Sequence, residues 1–159
     1  MTATRPEQPT PAYVPGHGLL QDKVVVVTAA AGAGIGASAV RRSLEEGARV
    51  VVLSDTHERR VAEARESLAA EFGADRVAAT VTDVTDEAQV TALLDIADAH
   101  GGVAVMINNA GLGGTASVLE MTDEQWGTVL DITLTGTFRC VRAASKRMIA
   151  NGTRGVIVN

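Results

Sequence analysis

Hydrophobic residues along this chain form short unbroken runs that alternate with longer amphipathic segments. The first run, residues 24–27, consists of four valines and is flanked by polar residues. Unbroken β-branched runs of this kind are typical of strands buried on both faces of a parallel sheet. On this basis the sequence predicts strands at residues 23–28, 49–54, 76–81, 103–107 and 155–159.

The segments between these runs carry apolar residues at the spacing of amphipathic helices. Gly47 is placed to end the first helix, and Thr56 and Thr85 are placed to cap the second and the third. Thr122 and Gln125 have the spacing of a capping box, which would open a long last helix. The predicted helices span residues 35–46, 57–72, 86–100 and 123–150.

This alternation of strands and helices predicts an α/β fold, a Rossmann-type doubly wound parallel sheet. Right-handed crossovers leave few topologies, and we predict the strand order 3-2-1-4-5, with the sheet incomplete on its C-terminal side. In this order the carboxyl ends of the first and fourth strands lie side by side at the switch point. Ligands of such folds bind there.

Composition narrows the possible partners. The net charge is −5, which argues against a nucleic-acid partner because phosphate binding needs a basic face. The three histidines are scattered without the spacing of metal ligands, so no metal site is expected. The single cysteine, Cys140, is interpreted as a packing residue.

The termini and the apolar runs bound the domain organisation. No run approaches the length of a membrane span, and the N-terminus lacks the apolar segment of a signal peptide. We therefore expect a soluble, cytoplasmic protein without a membrane partner. All four prolines lie within the first 18 residues. This predicts a flexible tail at residues 1–18 and one domain at residues 19–159.

A glycine-rich turn follows the first predicted strand and reads T-A-A-A-G-A-G-I-G from Thr28 to Gly36. Residues 32–37 satisfy the dinucleotide fingerprint G-x-G-x-x-G/A. Glycines let the backbone approach a phosphate closely, and the helix that follows directs its free N–H groups to the same point. Asp55 follows roughly twenty residues later, where the fingerprint places an acid. A turn that only redirects the chain is the alternative, and this context favours nucleotide binding.

Several motifs of the chain resemble those of the short-chain dehydrogenase/reductase family. The glycine turn resembles T-G-x-x-x-G-I-G, and N-N-A-G at residues 108–111 is the most specific of the matches. Asp83 and Val84 resemble the adenine-contacting D-V pair. Residues 130–138 resemble the family's V-N-L-x-G-x-F helix motif, and residues 155–159 resemble its G-x-I-V-N strand.

The resemblance implies an oxidoreductase that interconverts an alcohol and a ketone with a nicotinamide cofactor. Asp55 favours NAD over NADP because its carboxylate repels a 2′-phosphate. Arg59 and Arg60 could favour NADP, although a solvated helix face is the better interpretation of both. The expected cofactor-binding residues are Ala30, Gly32, Gly34, Ile35, Gly36, Asp55, Asp83, Val84, Asn109, Ala110 and Gly111.

Three departures from the family pattern bear on this expectation. The glycine turn is one residue longer, so either Ala29 or Ala30 takes the place of the first glycine. Thr133 takes the place of the catalytic helix asparagine. No Tyr-x-x-x-Lys occurs in the 159 residues, and the implied catalytic Ser, Tyr and Lys would follow Asn159. We therefore interpret the chain as the cofactor-binding part of such an enzyme, inactive by itself.

Further expectations concern substrate and partners. The amino-acid sequence of the glycine turn, together with S-D-x-H-E-R-R and N-N-A-G-L-G-G, resembles that of actinobacterial members of the family. Those members act on sterol rings or acyl-CoA compounds. Helix 123–150 would form a homo-oligomer interface, as in the family. Two alternatives stay open, a non-catalytic nucleotide-binding or interaction module and an S-adenosylmethionine-binding Rossmann protein.

Overall fold

The computed structural model of the chain describes residues 11–113 and 116–159. In these ranges five parallel strands form one sheet in the order β3-β2-β1-β4-β5. The predicted class and strand order are confirmed. The strands are β1 (Val24–Val27), β2 (Val50–Asp55), β3 (Val77–Val81), β4 (Val105–Ile107) and β5 (Val156–Val158).

Within the described residues five α-helices connect these strands: α1 (Ile35–Glu45), α2 (Glu58–Phe72), α3 (Glu87–Ala99), α4 (Asp123–Leu130) and α5 (Thr137–Ala150). A π-helical turn, Asp131–Gly136, joins α4 to α5. Both of its junctions keep helical backbone angles. The single long helix predicted at residues 123–150 is thus one helical segment with a π turn inside it.

The core has two layers, one on each face of the sheet. Val24 and Val26 of β1 pack with α3 and α5 on one face, whereas Val25 and Val27 pack with α1 and α2 on the other. Neighbouring valines enter different layers because successive strand side chains point to opposite faces. Burial on both faces explains why the central strands are unbroken apolar runs.

Two predicted helix caps were wrong. The cap of α3 is Asp86, whose Oδ1 accepts from the N–H groups of Ala88 at 2.8 Å and Gln89 at 3.3 Å. The Thr85 hydroxyl instead donates to Asp83 at 2.7 Å. His57 rather than Thr56 precedes α2, and its side chain makes no capping bond.

The other two predicted helix-end signals are confirmed. Thr122 and Gln125 form the capping box of α4 with both reciprocal bonds present. Gly47 follows α1 with a φ of +85°, a left-handed conformation that favours glycine after a helix.

The described end of the proline-rich segment contacts the last turn of α1. The Glu46 carboxylate accepts hydrogen bonds from the backbone N–H groups of His17 at 2.7 Å and Leu19 at 3.1 Å. These hydrogen bonds stabilise the charged carboxylate and lower the pKa of Glu46 to about 2. The bond from Leu19 has the largest effect. Residues 1–10 lie outside the described ranges, and the flexibility of residues 1–18 stays a prediction.

Within residues 11–113 and 116–159, no helix has the length and apolar character needed to cross a membrane.

Candidate functional site

A cleft of about 220 Å³ lies where the carboxyl ends of β1, β2 and β3 meet the segment after β4. It occupies the edge of the sheet at which ligands of doubly wound folds bind. Ten residues line it, namely Ala29, Asp55, Thr56, Thr82, Asp83, Val84, Ala110, Gly111, Leu112 and Ile132. Five of these, Asp55, Asp83, Val84, Ala110 and Gly111, are predicted site residues.

Larger hollows lie elsewhere on the described surface. One of about 580 Å³ lies between α2 and β3 and contains none of the predicted site residues. Another, of about 290 Å³, lies between α4 and the segment after β4 and shares only Leu112 with the cleft. Convergence of strand ends and predicted residues, rather than volume, therefore makes this cleft the candidate functional site.

The turn between β1 and α1 forms one wall of this cleft. Ala29 has a φ of +51°, a left-handed conformation that costs a residue with a Cβ about 1–2 kcal/mol. Of the two alanines that could take the place of the first glycine, Ala29 is therefore the one whose backbone conformation favours glycine. Ala30 is only 1% exposed, and its N–H donates to the Ser54 carbonyl at 2.8 Å. The structure thus places Ala30 in the core and Ala29 on the cleft wall.

The three glycines of the turn differ in their surroundings. A Cβ on Gly36 would lie 2.6 Å from the Ala29 carbonyl oxygen and 2.6 Å from Asn109 Nδ2. A Cβ on Gly32 or Gly34 would meet no atom within 4 Å. Gly36 is thus required for close packing of α1 against the start of the turn, while Gly32 and Gly34 leave backbone exposed to open space. Exposed backbone N–H groups before a helix fit a phosphate group.

Ile35, another predicted contact, begins α1 and is 82% exposed. No acidic residue lies in the first turn of this helix. The positive end of the helix dipole is therefore not neutralised from within α1, which favours an anion next to the glycine turn.

Asn109 ties the glycine turn to the segment after β4. Its Nδ2 donates to the carbonyls of Thr28 at 3.1 Å and Ala29 at 2.9 Å. The Thr28 hydroxyl accepts from the backbone N–H groups of Asn109 and Ala110, both at 3.0 Å. The Asn109 amide is therefore directed at the turn, and it positions Ala29 rather than lining the cleft.

Asp55 ends β2 with both carboxylate oxygens bonded to backbone. Oδ2 accepts from the Ala31 N–H at 3.2 Å, and Oδ1 accepts from the His57 N–H at 3.3 Å. A carboxylate offers about four acceptor positions. Two of them therefore have no partner among residues 11–113 and 116–159, so Asp55 can still accept the two hydroxyl groups of a ribose in the cleft.

Asp83 and Val84 lie on the opposite wall, after β3. Asp83 Oδ1 accepts from the backbone N–H of Thr85 at 2.8 Å, which fixes the turn that follows the strand. Val84 is buried, and a Cβ on Gly136 would lie 2.6 Å from its Cγ2. Close contact with the π turn thus holds Val84 in place as an apolar surface of the cleft.

Thr133 lies in the π turn between α4 and α5. Its hydroxyl accepts from the Leu112 N–H at 3.1 Å, and a Cβ on Gly111 would lie 3.8 Å from it. Thr133 thus contacts the segment that lines the cleft but is not itself a lining residue. Single π turns inside helices occur frequently at functional sites.

Sequence reasoning missed the lining residues Thr56, Thr82, Leu112 and Ile132. The first three each directly adjoin a residue that was predicted, so widening each motif by one position would have found them. Ile132 reaches the cleft from the π turn, and no local sequence signal marks it.

Polar atoms without protein partners lie near the same edge of the sheet. Ser54 Oγ, Thr82 Oγ1 and Asn108 Oδ1 are buried and make no hydrogen bond within the described residues. Ser54 lies one residue before the end of β2, and Thr82 and Asn108 directly follow β3 and β4. Polar groups at these strand ends distinguish the edge from the apolar core and agree with a polar ligand nearby.

Comparison with known proteins adds an independent line of evidence. Residues 23–159 match the sequence model described as short chain dehydrogenase. A (5R,7aS)-5-hydroxy-7a-methyl-1-oxo-2,3,5,6,7,7a-hexahydro-1H-indene-carboxyl-CoA reductase of Mycobacterium tuberculosis is 53% identical over 150 residues, 94% of this chain and 56% of the relative. A 3-alpha-(or 20-beta)-hydroxysteroid dehydrogenase of Mycobacterium bovis is 40% identical, over 89% of this chain and 52% of the relative. The chain spans about half the length of the curated relatives it matches.

Solved structures show the same similarity. A short chain dehydrogenase from Mycobacterium smegmatis superposes with a TM-score of 0.86 at 50% identity, covering 95% of this chain and 62% of that one. A short chain dehydrogenase/reductase from Burkholderia phymatum in complex with NAD has a TM-score of 0.81 at 31% identity, covering 88% of this chain and 49% of that one.

Proposed function

The chain belongs to the short chain dehydrogenase family, and from this membership we propose that it is the cofactor-binding part of an NAD-dependent oxidoreductase. The proposed reaction interconverts an alcohol and a ketone. The observation that carries the proposal is the cleft, where Asp55 faces a glycine turn whose Gly32 and Gly34 border open space.

The described residues suit the successive parts of a dinucleotide. Asp83 and Val84 would contact the adenine, and Asp55 the adjoining ribose. The backbone of Gly32 and Gly34 would face the pyrophosphate, because no side chain there blocks its approach. Ala110 and Gly111, on the far side of the cleft, would contact the part of the cofactor nearest the substrate.

The bound cofactor would exchange a hydride with the substrate through its nicotinamide ring. The chain's own residues bind and orient it. Asn109 and Thr28 fix the turn, and the Asp55 carboxylate is held on both oxygens. Thr133, bonded to Leu112, positions the segment that borders the reacting end.

We propose NAD rather than NADP because a carboxylate ends β2. A carboxylate accepts ribose hydroxyl groups and repels a 2′-phosphate. Arg59, which could offset that charge, pairs with Glu63 at 2.8 Å on an exposed face of α2. This ion pair supports the interpretation of Arg59 as part of a solvated helix surface.

For the substrate, we propose a ring ketone or alcohol carried on a steroid-like or CoA-ester compound. Support comes from the two actinobacterial relatives, one named as a reductase of an indene-carboxyl-CoA and the other as a hydroxysteroid dehydrogenase. Both are matched over about half of their length, so the substrate class rests on resemblance.

Titration with the two reduced cofactors tests the proposal. We expect the purified chain to bind NADH more tightly than NADPH in a fluorescence titration. Asp55→Ala should weaken NADH binding by about tenfold, roughly 1.4 kcal/mol, and narrow the difference from NADPH, because the ribose hydroxyls lose their acceptor. Glu66→Ala, which removes the same charge from an exposed position on α2, should change neither affinity.

Two outcomes would contradict this assignment. Tighter binding of NADPH by the unmodified chain would show that Asp55 does not select NAD, and binding of neither cofactor would reject the nucleotide site.

We expect no dehydrogenase turnover from the same preparation, because no Tyr-x-x-x-Lys occurs in its 159 residues. Turnover that Thr133→Ala abolishes would show that these residues suffice for catalysis.

We also propose that the outer face of the segment from α4 to α5 mediates self-association. Trp126, Leu134 and Phe138 are each more than half exposed there. Exposed apolar patches of this kind mark association sites. The Arg142 guanidinium lies 4.7 Å from the centre of the Phe138 ring, while Trp126 and Leu134 are 54% and 64% exposed.

Sedimentation velocity measures this association. The unmodified chain is expected to form dimers or larger species at micromolar concentration, and Leu134→Asp should raise the dissociation constant by at least about tenfold, or roughly 1.4 kcal/mol. Leu19→Asp, at a similarly exposed position in the N-terminal segment, serves as the control. A monomer at all concentrations, or equal effects of both variants, would contradict the proposed interface.

A further inference from the structure

We propose that the backbone N–H of Ala31 determines cofactor specificity by fixing the orientation of the Asp55 carboxylate. The inference rests on the proposed dinucleotide function and adds a second determinant to it. It assigns part of the discrimination between NAD and NADP to the length and shape of the glycine turn, in addition to the acid at the end of β2.

The first support is the way in which Asp55 is held. Its Oδ2 accepts from Ala31 at 3.2 Å, and its Oδ1 accepts from His57 at 3.3 Å. The two donors belong to different parts of the fold, the turn after β1 and the residue before α2. A carboxylate bonded on both oxygens by two separate backbone segments cannot rotate without breaking a hydrogen bond.

The second support is that the Ala31 donor is itself fixed. The preceding residue, Ala30, donates its N–H to the Ser54 carbonyl at 2.8 Å, and its side chain is buried in the core. Ala29 has a φ of +51° and its carbonyl accepts from Asn109. The path of the turn up to Ala31 is therefore set by β2 and by the segment after β4.

The consequence concerns the groups that meet the ribose. With two acceptor positions of Asp55 used by backbone donors, the remaining ones are available on the cleft side. An ordered acceptor loses little conformational freedom when two ribose hydroxyls bind. The same restraint prevents the carboxylate from moving aside for a 2′-phosphate, so the charge repulsion stays in place.

The third support is the composition of the turn. Ala31 ends a run of three alanines, and the turn is one residue longer than the motif that it resembles. Shortening the turn would place a different N–H opposite Asp55. Cofactor discrimination should therefore respond to changes in the turn that leave Asp55 untouched.

The test removes the Ala31 donor with Ala31→Pro, since proline has no N–H. Kd values for NADH and NADPH are measured by fluorescence titration, and folding is checked by far-UV circular dichroism. We expect the ratio of the NADPH Kd to the NADH Kd to fall by about tenfold, which corresponds to about 1.4 kcal/mol. This is near the lower end of the contribution of a hydrogen bond to a charged group.

Ala33→Pro is the matched control, because Ala33 is exposed and its N–H makes no hydrogen bond within the described residues. It should raise the Kd for NADH and the Kd for NADPH by similar factors and leave the ratio of the two Kd values unchanged. A merely structural effect of Ala31→Pro would do the same, so only a change of the ratio supports the inference.

A second variant, His57→Pro, removes the other backbone donor to the Asp55 carboxylate and applies if Ala31→Pro prevents folding. It should also lower the ratio. An unchanged ratio in every folded variant that binds NADH overturns the inference while leaving the proposed function intact. Failure of the unmodified chain to bind either cofactor instead rejects the proposed function on which the inference rests.

Discussion

Gly36→Val is expected to destabilise the fold by about 3 kcal/mol, near the upper end of the cost of overpacking. A Cβ at this position would lie 2.6 Å from the Ala29 carbonyl oxygen and 3.0 Å from the Ala30 Cα. Both are backbone atoms, so they cannot move without displacing the turn. The third close atom, Asn109 Nδ2, is held by two carbonyls. Nucleotide binding should be lost together with stability.

Urea denaturation measures this effect. Gly127→Val is the matched control because a Cβ on Gly127, in α4, would meet no atom within 4 Å. Its denaturation midpoint should stay close to that of the unmodified chain. Equal midpoints for Gly36→Val and Gly127→Val would show that helix α1 does not pack against the turn as closely as described.

Gly34→Val is expected to give the opposite combination, a loss of binding with little loss of stability. A Cβ on Gly34 would also meet no atom within 4 Å, so the folded chain accommodates it. In the proposed complex, however, the same space holds the pyrophosphate. We expect the Kd for NADH to rise by at least about 100-fold, or roughly 2.7 kcal/mol.

The same titration on Gly127→Val, at a glycine that is equally open but does not line the cleft, controls for the added side chain. Unchanged NADH affinity of Gly34→Val would mean that the phosphates do not approach this part of the turn. A large fall in its denaturation midpoint would mean that the open space at Gly34 is needed by the folded chain itself.

The layout of the sheet was readable from the sequence for a physical reason. Strands buried on both faces tolerate few polar residues, so 24–27 and 50–53 stand out as unbroken apolar runs. Right-handed crossovers then leave few strand orders. The positions at the carboxyl end of each strand, such as Asp55 and Asp83, could therefore be assigned to one edge of the sheet.

Features that depend on contacts between distant segments were not readable. Threonine is a residue type that often caps helices, but the Thr85 hydroxyl donates to Asp83, and Asp86 caps α3 instead. The choice between Ala29 and Ala30 depended on which residue has the positive φ. That is decided by bonds from Asn109 and to Ser54, and neither lies near the turn in sequence.

The π turn between α4 and α5 was also not predicted. Its residues continue the apolar spacing of a helix, so the periodicity at residues 123–150 indicates one regular helix. The extra residue in the turn brings Ile132 to the cleft and the Thr133 hydroxyl to Leu112. The site therefore includes a wall that helical periodicity alone does not reveal.

The hydrogen bonds at Thr28 have a consequence for the order of folding. Its hydroxyl is joined to the N–H groups of Asn109 and Ala110, which lie 81 and 82 residues away along the chain. Closing a loop of that length has an entropic cost that must be met before the contact forms. The glycine turn can therefore adopt its final shape only after β1 and β4 have paired. An intermediate that contains only β1, β2 and β3 would have three neighbouring strands of the sheet paired and would still lack an ordered glycine turn.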